Sequence, residues 1–577
     1  MTTLDIGYRA ATLDAHTDAT GDDRLLVELD DRPDRLRVRI VAREAVELTS
    51  LVVQIDAPIA AGQQAWFNGY QTWSESFVGP IGRGRRRLQP ITRLFRMAQY
   101  GDELVAADVR DARADASHEV FAVQQGETAR LWGSRLGDRA FTIFEPAPGS
   151  IRIVVDVAGW SIEAGGTALV LDLDRLTGAE APELLRTWAA NSGYGRRDAP
   201  AITGWTSWYQ YYAEIDAAKL HRTIDDLASS GVHFDVFQID DGYQAHVGDW
   251  LELLPGFAEG MAPLAEHARS AGYRPGLWLA PFVAARGSRL VREHPDWVLR
   301  DASGRRVTAG WNAGWKGAYF ALDLEHPDVL VYLAEVFRVA REEWGYAFFK
   351  LDFLYAAALD TRPGRTRADR MRRAMMLVRE WVGDAAVLAC GVPLVSAAGL
   401  VEYARVGSDV AAYWEDRLLR GVGYRERVST VSSLRSTIAR SWMDGTWFRN
   451  DPDVVILRTQ KNRLTADEQA TLFALNRALG SLVFVSDDVT KYTPEALATL
   501  STLSPLPEAR VQRVSLVGET QQLDVTLDGR PFRIRTDLGQ PAGASRERRP
   551  RRQRGADSAA AGSRRGEGGH RVVSLEP

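Results

Sequence analysis

The chain has 577 residues, too many for one ordinary core, so two to four domains are expected. With 45% hydrophobic residues, 25% charged residues and a net charge of −5, it reads as a globular protein with no pull toward nucleic acid or an acidic membrane surface. No apolar run reaches the roughly 20 residues that span a bilayer. The start, MTTLDIGYRAATLDAHTD, has no basic or apolar leader region, and the single cysteine, Cys390, rules out an intrachain disulfide, so a cytoplasmic location is expected.

In chain order, residues 1–185 read as an antiparallel β-sandwich. The segment RLRVRIVAR (35–43) alternates, with Leu36, Val38, Ile40 and Ala42 on one face. IRIVVD (151–156) and ALVLDL (168–173) are similar runs separated by Gly- and Pro-containing turns. A helix is expected over Ala181 to Asn191. From 195 to 490 the rhythm changes to short apolar strands alternating with helices. The strand candidates are 202–208, 234–241, 274–282, 348–354, 386–394, 401–410, a weaker 443–451, and 481–488. Between the first two lies a helix with Asp216 as cap, Leu220, Ile224 and Leu227 on its inner face and Gly231 past its end. Eight such units predict a (β/α)₈ barrel, with a doubly wound open sheet as the rival. Residues 505–540 predict a short C-terminal β-domain, with a turn at Asp528-Gly529. The tail 541–577, rich in Arg, Gly and Ala, is expected to be disordered.

In a barrel enzyme the reactive groups sit where strands end. Those ends carry Trp208, Asp240 and Asp241, Trp278, Lys350 and Asp352, Cys390, then Arg405 and Asp409. No cluster has metal-ligand spacing, no GxGxxG or GxxxxGKS/T cradles a phosphate, and no Ser–His–Asp order is present. Carboxylate chemistry remains, and glycoside cleavage is its commonest form; retention of configuration needs two carboxyl groups roughly 5–5.5 Å apart. Asp352 lies two residues after Lys350, so on a strand both point the same way, and the ammonium would hold Asp352 ionised for attack. The structural alternative is an ion pair between these two inside the barrel. Asp409 follows a Gly-Ser step and faces Arg405 four residues earlier; as an acid it needs burial and a neighbouring carboxylate to retain its proton. The adjacent acids Asp240 and Asp241, turned to the mouth by a bend at Gly242, suit a sugar diol, the alternative being a helix cap beside a solvated acid.

Nine motifs in order carry a resemblance to glycoside hydrolase family 36, the bacterial α-galactosidases: WFNGYQTWSES (66–76), GWTSWYQYY (204–212), FQIDDGYQ (237–244), GLWLAPF (276–282), FALDLEHPD (320–328), KLDF (350–353), CGVPL (390–394), ARVGSD (404–409) and RNDPD (449–453). The resemblance implies a β-sandwich, a catalytic barrel and a small β-domain, acting on α-galactoside oligosaccharides without metal or organic cofactor. It implies Asp352 as nucleophile and Asp409 as acid/base. Asp240 and Asp241 become acceptors for the 4- and 6-hydroxyls; Lys350, Cys390, Gly391 and Arg405 line the other hydroxyls; Trp208 and Trp278 form pocket walls. Trp73 is implied to reach the sugar from the sandwich, although a place in the sandwich core is its simpler reading. Galactosyl transfer, an α-N-acetylgalactosaminidase activity and an inactive galactoside-binding protein are the alternatives to hydrolysis.

Overall fold

The computed structural model describes residues 2–10, 13–18, 20–82, 116–517, 520–538 and 574–576. Two seven-stranded antiparallel sheets form the first part of the chain. One has Leu13–Thr17, Thr2–Ala10, Val46–Asp56, Ser150–Val155, Thr142–Ala147 and Ser117–His118 in order, with Trp160–Ile162 also on Val46–Asp56; the other runs Leu25–Asp31, Arg35–Ala42, Thr167–Gly178, Thr128–Ser134, Val120–Gln125, Gln64–Phe67 and Phe77–Pro80. The alternation read at 35–43 does what it implies: Leu36, Val38, Ile40 and Ala42 are buried, in one core with Leu51, Val53 and Ile55 of the facing sheet.

Helix Ala181–Asn191 forms where expected and buries Leu184, Leu185 and Trp188. Trp188 stacks edge-on against Trp442 and Trp447, with centroids 5.8 and 5.4 Å away, which joins the sandwich to the next layer.

Between 202 and 485, parallel strands follow one another as Ile202–Thr206, Val236–Ile239, Arg274–Leu279, Phe348–Leu351, Ala386–Ala389, Tyr403–Arg405, Arg449–Asp451, Val454–Val455 and Leu482–Val485. The sheet's two end members, Arg449–Asp451 and Val454–Val455, are consecutive pieces of one run of chain. Arg449 pairs with Tyr403 on one side, and Val454 pairs with Phe484 on the other, while Ile202 pairs with Leu482. The sheet therefore returns on itself as a barrel-like ring, which excludes the open rival. The interruption at Pro452-Asp453 follows from chemistry, since proline has no N–H to give a ladder and Asp453 takes φ +78°. Asp216 caps helix Ala217–Ser229 by accepting from the Lys219 amide at 2.7 Å, and Leu220, Ile224 and Leu227 are its buried face.

Two features exceed the sequence reading. A three-stranded antiparallel excursion, Val283–Ala285, Thr308–Asn312 and Gly317–Ala321, grows out of the ring after Leu279. The C-terminal strands expected within 505–540 form as Ala509–Val517, Thr520–Leu527 and Arg530–Asp537; what was not expected is that the backbone of Ser574–Glu576, from the tail, pairs to their edge. The tail expected to be disordered otherwise lies outside the described residues. No helix among the described residues is long and apolar enough to cross a membrane.

Candidate active site

The strand ends of the ring open into a cavity of about 1140 Å³. Of the residues singled out from the sequence, Asp240, Asp241, Lys350, Asp352, Asp409, Trp208, Trp278 and Trp73 line it. Cys390, Gly391 and Arg405 take positions behind this wall instead. Cys390 is buried, and burial pushes its thiol up. Gly391, at φ +59°, has space for no side chain: a Cβ there would stand 2.9 Å from the Trp73 ring. Arg405 reaches the cavity only through the carboxylate it holds.

Asp240 and Asp241 end strand Val236–Ile239, and the turn at Gly242 (φ +125°) brings both to the cavity. A Cβ at Gly242 would meet the Ala213 carbonyl at 2.8 Å, so only glycine fits. Lys350 donates to Asp240 Oδ2 at 2.8 Å. The sequence reading gave Lys350 to Asp352; its charge does favour ionised Asp352, but its hydrogen bond goes to Asp240, past the intervening strand Arg274–Leu279. Burial alone would lower the Lys350 pKa, but Asp240 outweighs it and keeps the side chain cationic. Asp241 accepts from Gln244 Nε2 at 2.6 Å and from Trp315 Nε1 at 2.7 Å; burial still raises its pKa above the ordinary carboxylate value.

Asp352 follows strand Phe348–Leu351 at a sharp turn. Its amide donates to the Leu279 carbonyl at 2.8 Å, and Phe353, held at φ +54°, donates its amide to Asp352 Oδ1 at 3.0 Å. Trp278 Nε1 donates to the other oxygen at 3.3 Å. Burial pushes the Asp352 carboxyl up to about 6; the Lys350 charge opposes this and Asp409 adds to it.

Asp409 differs from expectation in being 36% exposed, at the mouth side of the cavity. Arg405 donates to it at 2.8 Å, as the spacing implied. The same guanidinium also pairs with Asp451 and Asp453, each at 2.9 Å. Those two aspartates were quoted only as part of RNDPD and given no role. Asp453 Oδ2 accepts from the Tyr209 hydroxyl and from the Val410 amide. Burial pushes the Asp453 carboxyl up to about 7, Arg405 opposing and Asp409 and Asp451 reinforcing.

An aromatic wall runs Trp278, Trp315, Phe353, Trp73, with successive ring centroids 6.3, 4.8 and 5.1 Å apart. Trp73 comes from the sandwich, yet it lies in this wall rather than in the sandwich core. The loop that carries it is clamped to the ring by Arg440, which donates to the carbonyls of Gly69, Gln71 and Thr72, and by Glu75, which pairs with Arg427 and Arg435. Trp315 was missed. Its signal was present in AGWNAGWKG, where two tryptophans sit among glycines with no apolar periodicity. No group of His, Cys, Asp and Glu among the described residues is arranged to hold a metal ion.

Comparison with known proteins finds α-galactosidases. The Melibiase family model matches residues 173–377. The chain is 30% identical to an α-galactosidase from Thermus thermophilus solved with p-nitrophenyl α-D-galactopyranoside, with TM-score 0.70 and coverage of 88% of this chain and 96% of that one. A second structure of that enzyme holds stachyose. The family 36 α-galactosidase AgaA of Geobacillus stearothermophilus shares the fold at 14% identity, TM-score 0.59, over 92% of this chain and 74% of that one. A probable α-galactosidase C of Aspergillus flavus is 27% identical over 187 residues, 30% of this chain and 23% of that protein, so the match spans about a quarter of such curated relatives.

Proposed function

The chain belongs to glycoside hydrolase family 36, the α-galactosidases, and is therefore a glycoside hydrolase; from that premise we propose that it removes terminal α-D-galactosyl residues from oligosaccharides with retention of configuration. Asp352 is the nucleophile and Asp409 the acid/base. In the first step an Asp352 oxygen bonds to the anomeric carbon. The glycosidic C–O bond breaks, its electron pair goes to the leaving oxygen, and that oxygen takes the Asp409 proton. In the second step Asp409, now a carboxylate, takes a proton from water. The water oxygen displaces Asp352 from the ester. Asp240 and Asp241 accept the 4- and 6-hydroxyls, and Trp73, Trp208 and Trp278 bound the sugar. The same reading takes 1–185 as the sandwich, 195–490 as the catalytic unit and 505–540 as a small C-terminal unit.

The observation that supports this most is that Asp352 and Asp409 face one cavity from different strand ends, with Asp240 and Asp241 on the same lining. Asp352, locked in its turn by the Phe353 amide and the Trp278 ring N–H, suits attack, and Asp409, 36% exposed, suits protonation of a group that departs to solvent. Asp352 must be ionised to attack, so the acid limb of kcat/KM is expected near pH 6, where burial has moved its carboxyl.

The test is Asp352→Gly with an aryl α-galactoside. Turnover should vanish, azide should restore part of it as β-galactosyl azide, and wild-type enzyme should release the α-anomer of galactose first. Unimpaired turnover in the variant removes Asp352 from the role, and first release of the β-anomer removes retention.

A further inference from the structure

An acid catalyst next to a guanidinium is a contradiction that the site has to resolve. Arg405 stands 2.8 Å from Asp409, and a cation at that range favours the carboxylate over the acid. Resting on the reading of Asp409 as acid/base, we infer that Asp453 is a positioning residue for it: with Asp451 it takes up the charge of Arg405 and pins the Val410 amide, so that Asp409 keeps the proton it must give to the leaving oxygen.

Three geometric facts support this. Arg405 is fully enclosed and divides its donors, Nε to Asp451, Nη2 to Asp453 and Nη1 to Asp409. Asp453 holds the turn that carries Asp409, because its Oδ2 accepts from the amide of the next residue, Val410, at 2.8 Å. And Asp453 adopts φ +78°, a conformation a non-glycine residue takes at a cost, where Pro452 interrupts the ring. The strain brings its carboxylate to Arg405, Tyr209 and Val410 together.

The charged neighbours are few and each has a sign. Asp453 faces Arg405, Asp451, Asp409 and the Tyr209 hydroxyl. Asp409 faces Arg405, Asp352 across the cavity, Tyr209, Asp453 and Tyr413. Arg405 is also within range of Cys390 and Lys350. Three carboxylates around one guanidinium leave the cluster with surplus negative charge, which retains protons.

The test is the pH profile of kcat/KM for phenyl α-galactoside, whose leaving group needs a proton, beside α-galactosyl fluoride, which does not. Asp453→Asn leaves Arg405 one anionic acceptor short and cannot ionise. Its basic limb on the phenyl substrate should move down by about one pH unit, with the acid limb unmoved and the fluoride profile unchanged. Tyr209→Phe removes only a hydroxyl that stabilises ionised Asp453, so it should move the same limb in the same direction by less. It also supplies the test if Asp453→Asn fails to fold. A uniform loss of rate at every pH, with the limb in place in both variants, overturns the inference and leaves Asp453 a structural role. Asp409→Ala separates the two levels. It should abolish the basic limb on the phenyl substrate, and a limb that persists there refutes the reading of Asp409 rather than that of Asp453.

Discussion

Two buried charge clusters lie within the barrel-like ring and its seam with the sandwich, and they differ in balance. At the seam, Glu75 and Glu415 are met by Arg420, Arg427 and Arg435 at 2.8–3.8 Å, so that each acid is paired. Nearby Arg440 gives its donors to main-chain carbonyls and Asn68. At the cavity, the ion pairs of Lys350 and Arg405 gather Asp240, Asp409, Asp451 and Asp453, four acids to two bases, while Glu426, Arg458, Lys461 and Arg463 also line the cavity. Both clusters use the same Coulomb attraction in the same low dielectric. A balanced cluster satisfies itself and serves as a clamp. An acid-rich one that opens on a cavity needs protons and ligand hydroxyls to complete it, and that need is the basis of catalysis and recognition.

The widest gap between the two clusters should appear at Asp352. Replacement by Asn is expected to cut kcat on the order of 10⁴-fold and yet to stabilise the fold. The folded-state carboxyl, near 6, binds its proton more tightly than the ordinary 3.8. The destabilisation this implies is absent below about pH 4, grows as pH rises to 6, and is complete above it. Asn should therefore stabilise by up to about 3 kcal/mol at pH 7 and by little at pH 4, as read from unfolding midpoints across pH. Equal midpoints at both pH values would mean that Asp352 stores no such strain.

The opposite is expected at the seam. Glu75→Gln leaves two arginines short of an acid and should cost about 3–5 kcal/mol of stability, with activity falling alongside as Trp73 loses its seat. Wild-type stability in that variant would show that the main-chain bonds of Arg440 hold the loop by themselves. The smallest effect sharpens the contrast within the cavity. Trp315→Phe keeps an aromatic face, though a smaller one, and removes the N–H donated to Asp241, so KM should rise by about tenfold with kcat nearly unchanged, the scale of one hydrogen bond to a charge.

Much of this was legible in the chain. Asp352 and Asp409 were found because each follows an apolar strand run, and Asp240 and Asp241 because paired acids at a strand end have no simple structural use. Other parts were misplaced or missed. Lys350 does favour ionised Asp352 as read, but the acid it hydrogen-bonds, Asp240, is 110 residues away. Asp451 and Asp453 were read as letters of a motif, since nothing local reveals that one guanidinium 46 and 48 residues earlier gathers them. Cys390, Gly391 and Arg405 were placed at the surface of the pocket, because strand-end position alone does not distinguish a wall from what stands behind it.

By itself, the sequence determined the alternation that buries one face of each sandwich strand, the cap and inner face of the helix after Asp216, and the order of eight apolar runs, five of them ending in acids. These depend on periods of two and 3.6 residues and on caps three residues away, all within reach of the local backbone. Only the tertiary structure decided which acid each cation serves, that Trp73 crosses from the sandwich to the cavity, and that Trp315 reaches Asp241. Those pairings form between residues far apart in sequence, and they exist only once the ring has closed and the two layers have met.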